Sequence, residues 1–103
     1  VVSMQNRDTL DFLHPEDVIE ISCELSSAGI QPVKMRDIPD TQKNLISQVK
    51  EYERLAVAAI LTGNRQLAIK ALMVHPLVNS YSLAKTLVEE YLQAHRQYAG
   101  HWR

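Results

Sequence analysis

The side chains in this 103-residue chain with the most chemical reach are four histidines, four tyrosines and one cysteine, and their spacing limits what they can do. His14, His75, His95 and His101 show no metal-ligand spacing: there is no His-Glu-x-x-His, no Cys-x-x-Cys, and no histidine near Cys23 in sequence. Cys23 falls on the apolar side of an alternating stretch, where a free thiol behaves as a small hydrophobe, and it reads as an inert core residue. His75 precedes Pro76 and reads first as a helix-stop residue, since a cation suits a helix end. The glycines Gly29, Gly63 and Gly100 stand too far apart to build a phosphate-cradling loop. Glu89 and Glu90 beside Lys85 read as a solvated helix face, with Lys85 and Glu89 at i, i+4. Tyr52, Tyr91 and Tyr98 fall on or near apolar stripes and read as core or interface. One polar pair, Asn6-Arg7, stays open between a plain turn and a binding loop, because it follows an apolar stretch at a place where binding residues tend to sit. No catalytic, cofactor-binding or metal-binding residue is assigned to this chain.

The elements that would position these residues divide by period. Val1–Met4 is short and apolar, and Asn6-Arg7-Asp8 and His14-Pro15-Glu16-Asp17 are polar turns. From Val18 to Leu25 the alternation is clean, with Ile19, Ile21, Cys23 and Leu25 on one side and Glu20, Ser22 and Glu24 on the other. Ser26-Ser27-Ala28-Gly29 supplies a turn, and a second antiparallel strand is expected at about 30–35, demoted to an edge by Pro32. After Pro39 the period becomes helical, and three helices are expected at about 41–62, 65–75 and 81–98. Asp40 or Thr41 is expected to cap the first, Asn64 the second, and Ser80 or Ser82 the third, with Gly63 and Gly100 as stops. The stretch Leu55–Leu61 is apolar almost all round, the pattern of a helix buried on several sides. The fold class is therefore α+β. His101-Trp102-Arg103 is left as a tail.

Composition narrows the classes further. A net charge of −1 gives no electrostatic reason to expect nucleic acid or an anionic membrane. No apolar run approaches the roughly 20 residues a membrane helix needs. A lone cysteine excludes an internal disulfide and points to a reducing, cytoplasmic compartment. Two strands alone do not make a stable sheet in water. That shortfall, together with a first residue that is valine, leads to the expectation that the chain is a piece of something larger.

Several short stretches, in order, carry a family resemblance. They are Asn6-Arg7-Asp8-Thr9-Leu10, Val18-Ile19-Glu20-Ile21-Ser22-Cys23, Gly29-Ile30-Gln31-Pro32, Asp37-Ile38-Pro39, Gln48–Arg54 with Ala58-Ala59 and Thr62-Gly63, His75-Pro76-Leu77-Val78, Ala84-Lys85, and Glu90–His95. The chain resembles the carboxy-terminal region of family 4 glycoside hydrolases, in particular the bacterial 6-phospho-β-glucosidases. Members usually carry Asn-x-Gly in the first turn, where this chain has Asp8. Aspartate is expected to tolerate the left-handed backbone that a glycine there would adopt.

The resemblance implies a segment, residues 1–103, of a lactate/malate dehydrogenase-like carboxy-terminal domain, with the Rossmann NAD-binding domain outside this chain. It implies a parent enzyme that uses NAD and a divalent metal, usually manganese, to cleave a phosphorylated disaccharide by oxidation and elimination, outside the usual two-carboxylate mechanism. It further implies a homo-oligomer, and an isolated segment that is inactive. The competing readings are a stand-alone helical interaction module using Asn44–Leu61 as its partner face, and the same family acting on α-linked substrates.

Overall fold

The computed structural model describes all residues, Val1–Arg103. Four short strands precede three helices: β1 (Val2–Gln5), β2 (Val18–Ile21), β3 (Cys23–Ser26), β4 (Gly29–Pro32), α1 (Asp40–Thr62), α2 (Arg65–Val74) and α3 (Tyr81–Ala94). They form two compact units, Val1–Ser47 and Gln48–Arg103. The expected α+β class holds.

In the first unit the strands make two antiparallel pairs, β1 with β2 and β3 with β4. Met4 lies opposite Ile19 and Val2 opposite Ile21. This face packs on the loop that joins the two strands, so Leu13, Ile19 and Ile21 are buried, with Met4, Leu10, Phe12 and Cys23 packed against them. The single strand expected over 18–25 is divided at Ser22, and its halves take different partners. The reason is length. The partner Val2–Gln5 has four residues and is used up by Val18–Ile21, while the return strand pairs only from Cys23 onward. The Ser22 carbonyl is not wasted, because it accepts from the Val33 N–H at 2.8 Å.

The return strand is also shorter than the expected 30–35. It ends at Pro32, opposite Cys23, and only the Val33 N–H beyond it still reaches across, to the Ser22 carbonyl. Of the four residues expected on the buried side of the strand, Ile19 and Ile21 are buried and Cys23 is half-buried. Leu25 is 71% exposed, opposite Ile30, which is 50% exposed.

The second unit is built around α2 and α3, with Ile69, Ala84 and Val88 buried and Ala68, Leu72, Val78 and Leu92 around them. Asn64 caps α2 by accepting the Leu67 N–H at 3.1 Å, and Ser80, not Ser82, caps α3 by accepting the Leu83 N–H at 3.1 Å. Neither Asp40 nor Thr41 takes the cap position of α1. The Pro39 carbonyl accepts from Gln42 and Lys43, leaving Asp40 as an acidic first-turn residue where the helix dipole favours it. Gly63 (φ 59) ends α1 in the left-handed conformation expected of it. The third helix stops at Ala94, not 98. Tyr98 and Ala99 both donate to the His95 carbonyl, so a tight turn replaces the last helical turn before Gly100.

The cover that the all-round apolar pattern of Leu55–Leu61 calls for is not supplied within this chain, the exposure expected of a segment of something larger. Only Ala59 of α1 is buried, while Val57, Ile60 and Leu61 are 55%, 65% and 81% exposed. Two further helices are too few to wrap a helix that is apolar all round.

Candidate functional site

The open question at Asn6-Arg7 resolves into a structural role for Asn6. Its side chain is fully buried and nearly saturated with hydrogen bonds. Nδ2 donates to the carbonyls of Leu10 (2.9 Å), His14 (3.2 Å) and Leu13 (3.4 Å), and Oδ1 accepts the Leu10 N–H at 2.8 Å. The Asn6 N–H donates to Asp17 and its carbonyl accepts from Thr9. Asp17, also buried, takes the His14 N–H on Oδ2 at 3.0 Å. Asparagine is suited here because one planar group offers both donors and an acceptor, so it fastens the loop 6–17 from inside. A group committed in this way has nothing left for a ligand.

Arg7, not Asp8, is the left-handed residue of this turn, with φ 53. The expectation that Asp8 would carry a left-handed backbone is therefore corrected. The strain sits one position earlier, and Asp8 contributes only an exposed carboxylate 3.9 Å from Lys34 Nζ. Beside the loop runs a cleft of about 350 Å³ whose lining includes Asp8, Asp11 and Asp37 on the acidic side and Lys34, Arg36 and Lys43 on the basic side. Its charges balance, and Lys43 Nζ is occupied over the Phe12 ring, 5.8 Å from its centre.

The remaining candidates stay apart. Cys23 is half-buried, with Sγ 3.7 Å from Met4 Sδ and 3.5 Å from the Ile21 carbonyl, the surroundings of a packed thiol. His75 terminates α2 as expected. Its Nδ1 accepts the Leu77 N–H at 3.2 Å, and its ring meets Tyr52 edge-on at 4.7 Å. Lys85 and Glu89 lie 3.9 Å apart on an exposed face, a separation that contributes little in water. No three His, Cys, Asp or Glu side chains converge as ligands for a cation, so the residues present do not fit a metal ion. The three glycines fall in separate turns, so no dinucleotide-cradling loop forms either.

The second unit holds a feature that sequence reasoning left as a mere tail. Trp102 turns back to line an apolar cavity of about 290 Å³, together with Tyr52, Ala59, Ile60, Leu72, Val88 and Tyr91. Its indole N–H donates to the Ala99 carbonyl at 2.7 Å. The only signal in the sequence was the residue type, since a tryptophan outside any periodic run still seeks apolar surroundings and one acceptor.

Short strand pairs followed by three helices make up the scaffold that positions these residues. Comparison with known proteins places it. The family model for the C-terminal domain of family 4 glycosyl hydrolases matches residues 1–78, and the chain belongs to that family.

Among curated relatives, a probable 6-phospho-beta-glucosidase of Bacillus subtilis is 32% identical over 97 residues, 94% of this chain and 22% of that protein. The 6-phospho-beta-glucosidase of Thermotoga maritima is 35% identical over 98 residues, 95% of this chain and 24% of that protein. A crystal structure of the Thermotoga enzyme with manganese, NAD⁺ and glucose-6-phosphate superposes with a TM-score of 0.80, covering 93% of this chain and 24% of that one. A 6-phospho-alpha-glucosidase from gut microorganisms, with NAD and glucose-6-phosphate, reaches a TM-score of 0.87 at 25% identity, over 98% of this chain and 23% of that one. The chain thus spans about a quarter of the length of the relatives it matches. No helix is long and apolar enough to cross a membrane.

Proposed function

We propose that this chain is the carboxy-terminal segment of the substrate-side domain of a cytoplasmic 6-phospho-β-glucosidase that depends on NAD and a divalent metal, most naturally manganese. The observation that carries this reading is coverage. The chain aligns over 94–95% of its own length with two 6-phospho-beta-glucosidases, yet over only 22–24% of theirs. The activity belongs to the whole protein, with the NAD fold, the metal ligands and the base lying before this segment. The residues here fit neither NAD nor a metal, and no step of the reaction runs through them.

Support for the β linkage comes from sequence, at 32–35% identity to the two β enzymes against 26–29% to two curated phospho-alpha-glucosidases. The backbone overlay runs the other way, 0.80 for the Thermotoga β enzyme against 0.87 for the α enzyme from gut microorganisms. We weight sequence more heavily because backbone similarity reports only the fold, which the α and β enzymes share.

The segment's part is structural. It buries what it can and leaves apolar surface, above all Val57, Ile60 and Leu61 of α1, for the remainder of the enzyme or for a second subunit of a homo-oligomer.

The test has two arms. The 103-residue chain, given NAD, Mn²⁺, reductant and a chromogenic 6-phospho-β-glucoside, is expected to show no turnover. The full-length protein of which the chain is a segment, under the same conditions, is expected to turn over that substrate with a preference for the β over the α form. Turnover by the isolated chain, or a preference for the α substrate, overturns the corresponding half of the proposal.

A further inference from the structure

One end of the second unit carries a polar cleft of about 260 Å³, lined by Arg65, Arg96 and His101 and by a single carboxylate, Glu89, already 3.9 Å from Lys85. In α1 two cations sit in close pairs, Lys50 with Glu53 at 2.6 Å and Arg54 with Glu51 at 3.1 Å, whereas Lys70 of α2 makes no ion pair. Arg65, Arg96 and His101 make no ion pair. Two unpaired guanidinium groups, with an imidazole beside them, thus line one cleft of a chain whose formal charge is −1.

The gathering is built by the backbone. Arg103 N–H donates to the Gly63 carbonyl at 2.8 Å, and Arg65 N–H donates to the Arg103 carbonyl at 2.9 Å. This exchange clamps the tail onto the start of α2 and sets His101 and Arg65 in the walls of one cleft. Gly63 permits it: a Cβ added there would lie 2.5 Å from the His101 carbonyl oxygen. Trp102, fixed through its indole N–H, forms another part of the wall. The first turn of α2 holds Arg65 and no acidic residue.

We propose that this cleft binds a small oxyanion of the phosphate class, held by the guanidinium groups of Arg65 and Arg96 with His101 as a further donor. Guanidinium forks match the oxygen spacing of a tetrahedral oxyanion, which makes arginine the better choice over lysine for such a group. The inference rests on the cleft itself and is independent of the substrate assigned to the parent enzyme.

Trp102 is the only tryptophan, so its emission reports on the cleft directly. The test titrates the 103-residue chain with inorganic phosphate against chloride at matched ionic strength, following Trp102 emission and the backbone amide shifts of Arg65 and His101. Saturable change with phosphate alone is expected, and R65Q and R96Q should each weaken it by about tenfold, the effect of losing one charge-assisted contact. G63A keeps every cation but excludes the docked tail, and is expected to abolish saturation. Equal responses to phosphate and chloride, or wild-type binding by G63A, would reduce the cleft to diffuse surface charge and overturn the proposal. Should G63A lose its helical circular dichroism, the two arginine variants decide the matter at unchanged helicity.

Discussion

Asn6 and Leu10 hold each other by a reciprocal pair of hydrogen bonds, Nδ2 to the Leu10 carbonyl at 2.9 Å and the Leu10 N–H to Oδ1 at 2.8 Å. The same amide reaches on to Leu13 and His14, so a single side chain closes the connection between β1 and β2. Removing it strands several buried backbone groups at once. Asn6→Ala is expected to cost about 3 kcal/mol, since each buried group left unpaired costs 1–3 kcal/mol and the effects do not simply add. Asn6→Asp should be no better, because a carboxylate cannot donate to three carbonyls. Urea unfolding followed by circular dichroism measures both, and a loss below about 1 kcal/mol for either variant would contradict the role given to the amide.

The turn that follows separates two neighbouring positions. Arg7 has φ 53 and Asp8 does not share this conformation. A left-handed non-glycine residue is strained by roughly 1–2 kcal/mol, part of which glycine returns through its larger entropy loss on folding. Arg7→Gly is therefore expected to be neutral to stabilising by about 0.5–1 kcal/mol. Asp8→Gly, where no strain is relieved, should be destabilising. Thermal unfolding of the two single variants gives opposite signs if the strain sits at Arg7, and the reverse order would place it at Asp8.

What could be read from the sequence follows from how local each feature is. The caps Asn64 and Ser80 and the stop Gly63 act within a few residues, and all three stand as the sequence indicated. The break at Ser22 was hidden because the alternation from Val18 to Leu25 is unbroken. Which strand each half joins depends on the length of β1, many residues away. Asn6 was ambiguous for a related reason: a buried amide and a surface turn amide look alike until the carbonyls of residues 10, 13 and 14 are seen to converge on it. The docked tail has no period at all, so nothing before the fold marked Trp102 as a wall of two cavities. Metal-ligand spacing is missing from the sequence, and no three His, Cys, Asp or Glu side chains converge in the fold.

The two observed caps give a calibrated comparison. Asn64 Oδ1 and Ser80 Oγ each accept one first-turn N–H at 3.1 Å. Either residue replaced by alanine is expected to cost about 1 kcal/mol. Because α2 and α3 pack on each other through Ile69, Ala84 and Val88, loss of either cap should lower the same unfolding transition. Separate transitions for the two helices in a thermal melt of N64A or S80A would show that they do not form one cooperative core.

The exposed side of α1 leads to a prediction about association. Val57, Ile60 and Leu61 are all more than half exposed, and Ile60 also borders the apolar cavity. Contiguous apolar surface of this kind draws molecules together, and a segment that spans about a quarter of its relatives' length leaves such surface without its usual cover. The 103-residue chain is expected to self-associate in a concentration-dependent way, visible by sedimentation velocity. The double variant I60E/L61E should shift it toward monomer. Helicity should be little changed, because both positions are solvent-facing and glutamate is a good helix former. A monomer at every concentration would show that this face does not associate. Unchanged association of I60E/L61E would instead move the sticky surface to the exposed Leu25–Ile30 pair of the β3–β4 hairpin, where L25K offers the matching test.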